Sequence, residues 1–294
     1  MADAGLLERT AEFLRPVLPR RFRGDIPVVP VVRLAGVIGF STPLRPGLTL
    51  ANVAKQLDRA FAWPRARAVA LSINSPGGSA VQSHLVFQRI RHLAAEKKKP
   101  VFAFVEDVAA SGGYMIACAA DEIVADPSSI VGSIGVIGAS FGFTKLIEKI
   151  GIERRIYTSG VNKAMLDPFL PENPEHVARL KAIQEDIHAT FIDLVKSRRA
   201  DKLSRSEPAL FSGEYWAAKQ GIEHGLVDRI GDLRSFLRAR YGDKVETPLV
   251  SAGRGLFGRT TPGVDTDRLL DQSGLADDLV SALEARAHWA RYGL

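Results

Sequence analysis

From residue 26 to about residue 240, short β-branched runs alternate with stretches of helical period, and glycine or proline marks most of the changeovers. That alternation confines the chain to the α/β class with largely parallel pairing, because parallel strands need a crossover and a helix is the usual one. IPVVPVVRLAGVIGF (26–40), ARAVALSINS (66–75) and PVFAFVED (100–107) read as buried strands. LTLANVAKQLDRAFA (48–62), residues 79–96 and NPEHVARLKAIQEDIHATFIDLVKSRR (173–199) read as helices. EIVAD and IVGSIGVIG are expected as short strands and ERRIYTS (153–159) as another, with FTKLIEKI and GEYWAAKQGI as short helices. GLVDRIG is a last strand or turn before a helix near 232–240.

Three parts are expected: a basic amphipathic N-terminal segment (1–25), one large domain (26–244), and a linker with a C-terminal amphipathic helix (245–294). Leu6, Leu7, Phe13, Leu14, Val17 and Leu18 recur at helical spacing with arginines between them. Such a helix docks on its own domain or a neighbouring subunit; a membrane surface is the alternative. Leu269, Leu270, Leu275, Leu279, Val280 and Leu283 make the apolar face of the final helix.

Composition excludes several classes. Apolar residues at 46% and charged ones at 24% are ordinary for a globular protein. Cys118 is the only cysteine, so no internal disulfide forms; it lies in MIACAA and reads as a small core residue. The net charge of +6 comes with arginine clusters at 20, 21 and 23 and at 198 and 199, but no aromatic residues interleave them. No nucleic-acid-binding signature accompanies them, so no nucleic-acid partner is expected. No metal-ligand spacing is present and no cofactor is expected. No apolar run reaches the roughly 20 residues of a membrane span, and the N-terminus fails as a signal peptide. The expected location is the cytoplasm.

Three stretches carry chemistry. SINSPGGSA (72–80) follows a strand and precedes a helix, so its glycine N–H groups are bared toward an anion. Neither GxxxxGK[ST] nor GxGxxG is present, so an oxyanion hole is the reading rather than a phosphate loop. Ser111, in EDVAASGGYMIACAADEIVA (106–125), is placed where a helix begins, which suits a nucleophile; close packing of small residues is the structural alternative. A serine hydroxyl needs a base. The six histidines, at 84, 92, 176, 188, 224 and 288, all fall on helices or helix ends among polar neighbours. Lys163, in YTSGVNKAMLDPF (157–169), follows a Ser-Gly turn and precedes Ala164, Met165 and Leu166. An apolar loop there would disfavour its charged form and leave an amine competent as a base.

Taken together, NSPGG, ASGGYMIACAADEIVA, VGSIGVIG and SGVNKAMLDPF occur in an order and at spacings that resemble the S49 peptidase family of signal peptide peptidase A and SohB-like serine proteases. The resemblance runs from about residue 30 to 240. It implies a ClpP/crotonase-like fold, a repeated β-β-α superhelix with parallel sheets. It implies Ser111 as nucleophile and Lys163 as general base of a Ser/Lys dyad. The N–H of Gly112 and one from Gly77 or Gly78 would form the oxyanion hole, and Ser133 in VGSIGV would hold the lysine amine. It implies apolar, extended peptide substrates and a homo-oligomer in which Lys163 can come from a neighbouring subunit. The membrane anchor usual in signal peptide peptidase A is not seen here, which favours a cytoplasmic peptidase with peripheral membrane contact through the N-terminal helix. Two alternatives stand beside it: a crotonase-like acyl-CoA enzyme using the same glycine amides, and a non-catalytic scaffold at a membrane surface.

Overall fold

A computed structural model describes residues 26–39, 47–204, 207–251, 283 and 286–294. The strands are β1 (Val31–Ala35), β2 (Val69–Ser75), β3 (Val101–Ala110), β4 (Glu122–Ala125), β5 (Ile130–Gly132), β6 (Tyr215–Ala217) and β7 (Arg229–Ile230). The helices are α1 (Leu50–Phe61), α2 (Ala80–Lys97), α3 (Gly112–Ala117), α4 (Thr144–Lys149), α5 (Pro174–Arg199), α6 (Glu207–Leu210), α7 (Ala218–Glu223) and α8 (Leu233–Tyr241). One sheet runs β1-β2-β3-β4-β7 with every pairing parallel. β5 leaves this path to pair parallel with the far end of β3, and β6 closes on β5 antiparallel. The expected α/β class with parallel strands is therefore the observed one.

Side-chain alternation divides the core in two. Leu34, Leu71, Ile73, Ala103 and Val105 face the layer built by α1, α2, α3 and the C-terminal half of α5. Val31, Ala70, Phe102 and Phe104 face α8 through Phe236, Leu237 and Tyr241. β2 is buried at all seven positions, as a central strand covered on both faces must be. Each large side chain taken fully out of water adds about 1.5–3 kcal/mol, so the central strands hold much of the stability.

Caps set the helix starts. Thr49 accepts from the Asn52 N–H, Ser79 from Gln82 N–H, Asn173 from Glu175 N–H and Asp232 from Ser235 N–H. α2 ends where Lys98 adopts a left-handed conformation, just before Pro100.

The structure departs from the sequence reading in several places. The first strand is shorter than 26–40, with Val28 and Ile38 contributing only isolated bridges. ERRIYTS forms no ladder and is largely exposed, since no strand edge of the same chain lies beside it among the described residues. GEYWAAKQGI begins as β6 before it turns helical. Residues 246–250, read as linker, run beside β1 through Val29 N–H to Glu246 O, Val31 N–H to Pro248 O and Val250 N–H to Val31 O. The amphipathic segments at 1–25 and 269–282 lie outside the described residues.

Candidate active site

The site forms where β2 and β3 deliver their C-terminal ends to one place. Asn74 ties the two strands: its Nδ2 donates to Asp107 Oδ2 at 2.6 Å and its Oδ1 accepts the Val108 N–H. An asparagine can do both because its amide carries donor and acceptor. The pairing register shifts between Ile73 and Ser75, which turns Pro76-Gly77-Gly78 across the end of β3.

Ser111 stands at the elbow between β3 and α3 with φ +52° and ψ −122°. Few non-glycine residues take this conformation, which costs about 1–3 kcal/mol and persists only when the surroundings impose it. They do so here. The Ser111 N–H donates to Gly132 O at 2.8 Å, and Ser111 O accepts the Met115 N–H at 3.0 Å. Its hydroxyl makes no capping bond to α3 and so remains available. Ser111 is half-buried and opens on a pocket of about 260 Å³ that Gly78 and Gly112 also line.

Glycine is required around it by contact. A Cβ on Gly77 would stand 2.7 Å from Ser111 Cβ, and one on Gly112 would collide with Ser83 Oγ. The two glycines of the PGG turn differ. The Gly77 N–H donates to Ser75 Oγ at 3.2 Å, whereas Gly78 lines the pocket. Gly112 is the first residue of α3, where backbone N–H groups have no acceptor within the helix.

Beneath Ser111, α3 is held by buried polar contacts. Tyr114 Oη donates to Leu226 O at 2.9 Å. Arg199, counted in sequence as part of a basic cluster, is 2% exposed; it donates to Gly225 O and pairs with Asp228 at 2.6 Å. Burial pushes the Asp228 carboxyl up, but the Arg199 hydrogen bond and charge, with Lys202 and the Ile123 N–H, outweigh it and hold it below the usual range. Burial pushes the Cys118 thiol up to about 12, as suits a core residue rather than a reactive one. Burial likewise carries the Tyr114 phenol well above its ordinary value.

The other expected residues are distributed unevenly. Ser133 is buried, in the left-handed conformation (φ +53°), one residue beyond the Gly132 carbonyl that holds Ser111. Lys163 is exposed, in a turn whose Gly160 O accepts its N–H at 3.2 Å, and it does not line the Ser111 pocket. The expectation of an apolar loop drying the amine is corrected for the single chain: Ala164, Met165 and Leu166 are half-buried, but Lys163 itself stays exposed. Of the six histidines, His288 lines the pocket beside Arg291. Sequence alone sets His288 with the other histidines, as a helix residue among polar neighbours, and does not point to Arg291, because nothing in the tail's composition tells where it folds back. Among the described residues no group of His, Cys, Asp and Glu could hold a metal ion.

A family model described as peptidase family S49 matches residues 94–245, over half of the chain and both Ser111 and Lys163. The chain belongs to peptidase family S49. With membership comes the ClpP/crotonase-like fold expected above. A relative in Synechocystis named as a protease, slr0021, is 32% identical over 219 residues, 72% of this chain and 78% of that protein. A Na(+)/H(+) antiporter NhaA of Brucella abortus is 55% identical over 305 residues, which is 100% of this chain and 41% of the antiporter. The S49 chain thus spans less than half the length of that relative. Among solved structures, the 1510-N membrane-bound stomatin-specific protease matches with a TM-score of 0.45 at 18% identity, over 78% of this chain and 99% of that one. Among the described residues no helix is long and apolar enough to cross a membrane.

Proposed function

We propose that this S49 chain is a serine endopeptidase in which Ser111 attacks the peptide carbonyl and Lys163 of a neighbouring copy serves as general base. The observation that carries the reading is the strained elbow: a serine at φ +52° whose uncommitted hydroxyl opens on a pocket beside Gly78 and Gly112. Ser111 Oγ bonds to the carbonyl carbon as its proton passes to the lysine amine. The N–H groups of Gly78 and Gly112 take the oxyanion, each worth about 2.7–4 kcal/mol. The C–N bond breaks, the amine receives the lysine's proton, and water then hydrolyses the acyl ester by the same base. Gly77, whose N–H is engaged by Ser75, supports the turn instead.

Delivery of the base between copies is supported by the 137–170 region. Ile137, Phe141, Ile150, Tyr157 and Val161 are exposed there, Val161 at 98%, around a lysine the single chain does not desolvate. A second copy would cover these side chains, dry the amine and bring it to Ser133. The substrate class is extended, largely apolar peptide: Met115, Val136, Ile137 and Phe191 line the pocket. A cytoplasmic location with peripheral membrane contact through residues 1–25 belongs to the same proposal.

The test is cleavage of denatured casein by wild type, Ser111→Ala, Lys163→Ala and His288→Ala, with circular dichroism on each. Loss of about a thousandfold or more is expected for the first two folded variants and less than tenfold for the third. Full activity in Ser111→Ala overturns the reading. An inert wild type whose Ser111 also resists a fluorophosphonate favours the scaffold alternative.

A further inference from the structure

The C-terminal residues fold back onto the site. Tyr292 is 6% exposed and packs on Val108 and Ala110, at the end of β3 just before Ser111, together with Trp289 and Ile130. Its ring meets Tyr215 edge-on, with centroids 5.0 Å apart, and Tyr215 Oη donates to Arg291 O at 3.1 Å. The Tyr292 hydroxyl lies between the two loops that flank Ser111. It reaches Pro76 O at 3.4 Å and Ser133 Oγ at 3.2 Å. Pro76 opens the turn that carries Gly78, and Ser133 follows the carbonyl that fixes the Ser111 N–H.

We infer that Tyr292 is a positioning residue of the peptidase: its buried hydroxyl joins the oxyanion turn at Pro76 to Ser133 and aims the Ser133 hydroxyl at the general base. The inference rests on the Ser111/Lys163 reading and deepens it. A serine hydroxyl has one proton and two lone pairs, and it rotates freely unless a partner holds it. The Pro76 carbonyl can only accept, so the Tyr292 proton has a natural place there. With that proton on Pro76, the Tyr292 oxygen can accept the Ser133 proton, which leaves the Ser133 lone pairs for the N–H groups of an amine delivered there. Without that partner the Ser133 proton can turn toward the amine and occupy the lone pair needed for Ser111. The contact also couples loop to loop, because a shift of Ser133 carries Pro76 and therefore Gly78 with it. Residues nearly 160 positions away in sequence thus complete the wall of the site, with His288 and Arg291 in the same pocket.

Tyr292→Phe removes the hydroxyl and keeps the buried ring. Tyr215→Phe is the control, since it loses a neighbouring bond to the same tail without touching Ser133. Both are made in the full chain and assayed for peptide cleavage alongside wild type and Ser111→Ala. Tyr292→Phe is expected to lower kcat about tenfold with KM changed less than about twofold and the melting temperature retained, while Tyr215→Phe stays within about twofold of wild type. Wild-type kcat in Tyr292→Phe overturns the inference. So does a rise in activity, which would make the tail an obstruction, or an equal loss in both variants, which would make tail docking the cause. Activity surviving in Ser111→Ala instead strikes the dyad reading itself, and the two failures are thereby told apart.

Discussion

The proposed nucleophile and its proposed base sit in opposite physical settings within one chain. Ser111 is surrounded by fully buried strands, by glycines that leave no room for a Cβ, and by a buried Arg199–Asp228 pair under its helix. Lys163 lies in an exposed turn; the stretch before it, 153–159, joins no strand ladder, and Tyr157 and Val161 nearby are bare. The first region is over-determined by its own core, so it can hold a strained backbone without help. The second has little core of its own. On the proposed reading its geometry comes from a neighbouring copy, and unassembled copies have the nucleophile without the base.

The largest expected effect breaks or confirms that division. On the proposed reading Ser111→Ala and Lys163→Ala should each be inactive alone, but copies mixed by unfolding and refolding together should regain roughly a quarter of wild-type casein cleavage, since half the nucleophile sites survive and half of those meet an intact lysine across a head-to-tail interface. A mixture as inert as its components would return Lys163 to its own chain.

A smaller effect, on stability, tests the ground under the serine. Asp228→Asn leaves Arg199 buried against an uncharged partner and should cost about 3 kcal/mol at neutral pH in urea melts. The Asp228 carboxyl is held below its ordinary value. Its contribution is therefore present above the unfolded value of about 3.9 and is lost as pH falls through the lower folded value. Wild type should lose stability steeply below about pH 4 and Asp228→Asn should lose less over the same interval; parallel curves would remove the ion pair from the account.

The smallest effect compares a methyl group added to one region with side-chain atoms removed from the other. Gly112→Ala must push against Ser83 and should cost about 1–3 kcal/mol with activity lost. Val161→Ala, in a side chain 98% exposed, should stay within about 0.5 kcal/mol for the isolated chain. Its expected harm is to assembly, read as a shift to smaller species by sedimentation at unchanged melting temperature.

Much of the central region was legible from residue pattern. β2 and β3 were expected at 66–75 and 100–107 because uninterrupted apolar runs have few other fates. Ser111 was legible because a serine followed by two glycines has little reason to stand before an apolar helix unless the elbow is tight. ERRIYTS misled for a related reason: β-branched residues favour extended backbone, but a strand exists only where a neighbour supplies the ladder. The proposed oxyanion glycine was legible as a pair and not as a choice, since only the fold shows that Ser75 engages Gly77 while Gly78 lines the pocket.

The sequence by itself determined the α/β class, the family and the placing of a serine at a helix start, because these depend on local period and on short motifs. Tertiary structure alone decided that Gly78 rather than Gly77 faces the pocket, that Arg199 is buried against Asp228, that Lys163 is left outside, and that Tyr292 returns to Ser133. Arg199 meets Asp228 across 29 positions and Tyr292 meets Ser133 across 159, and no local pattern of residues encodes such partners.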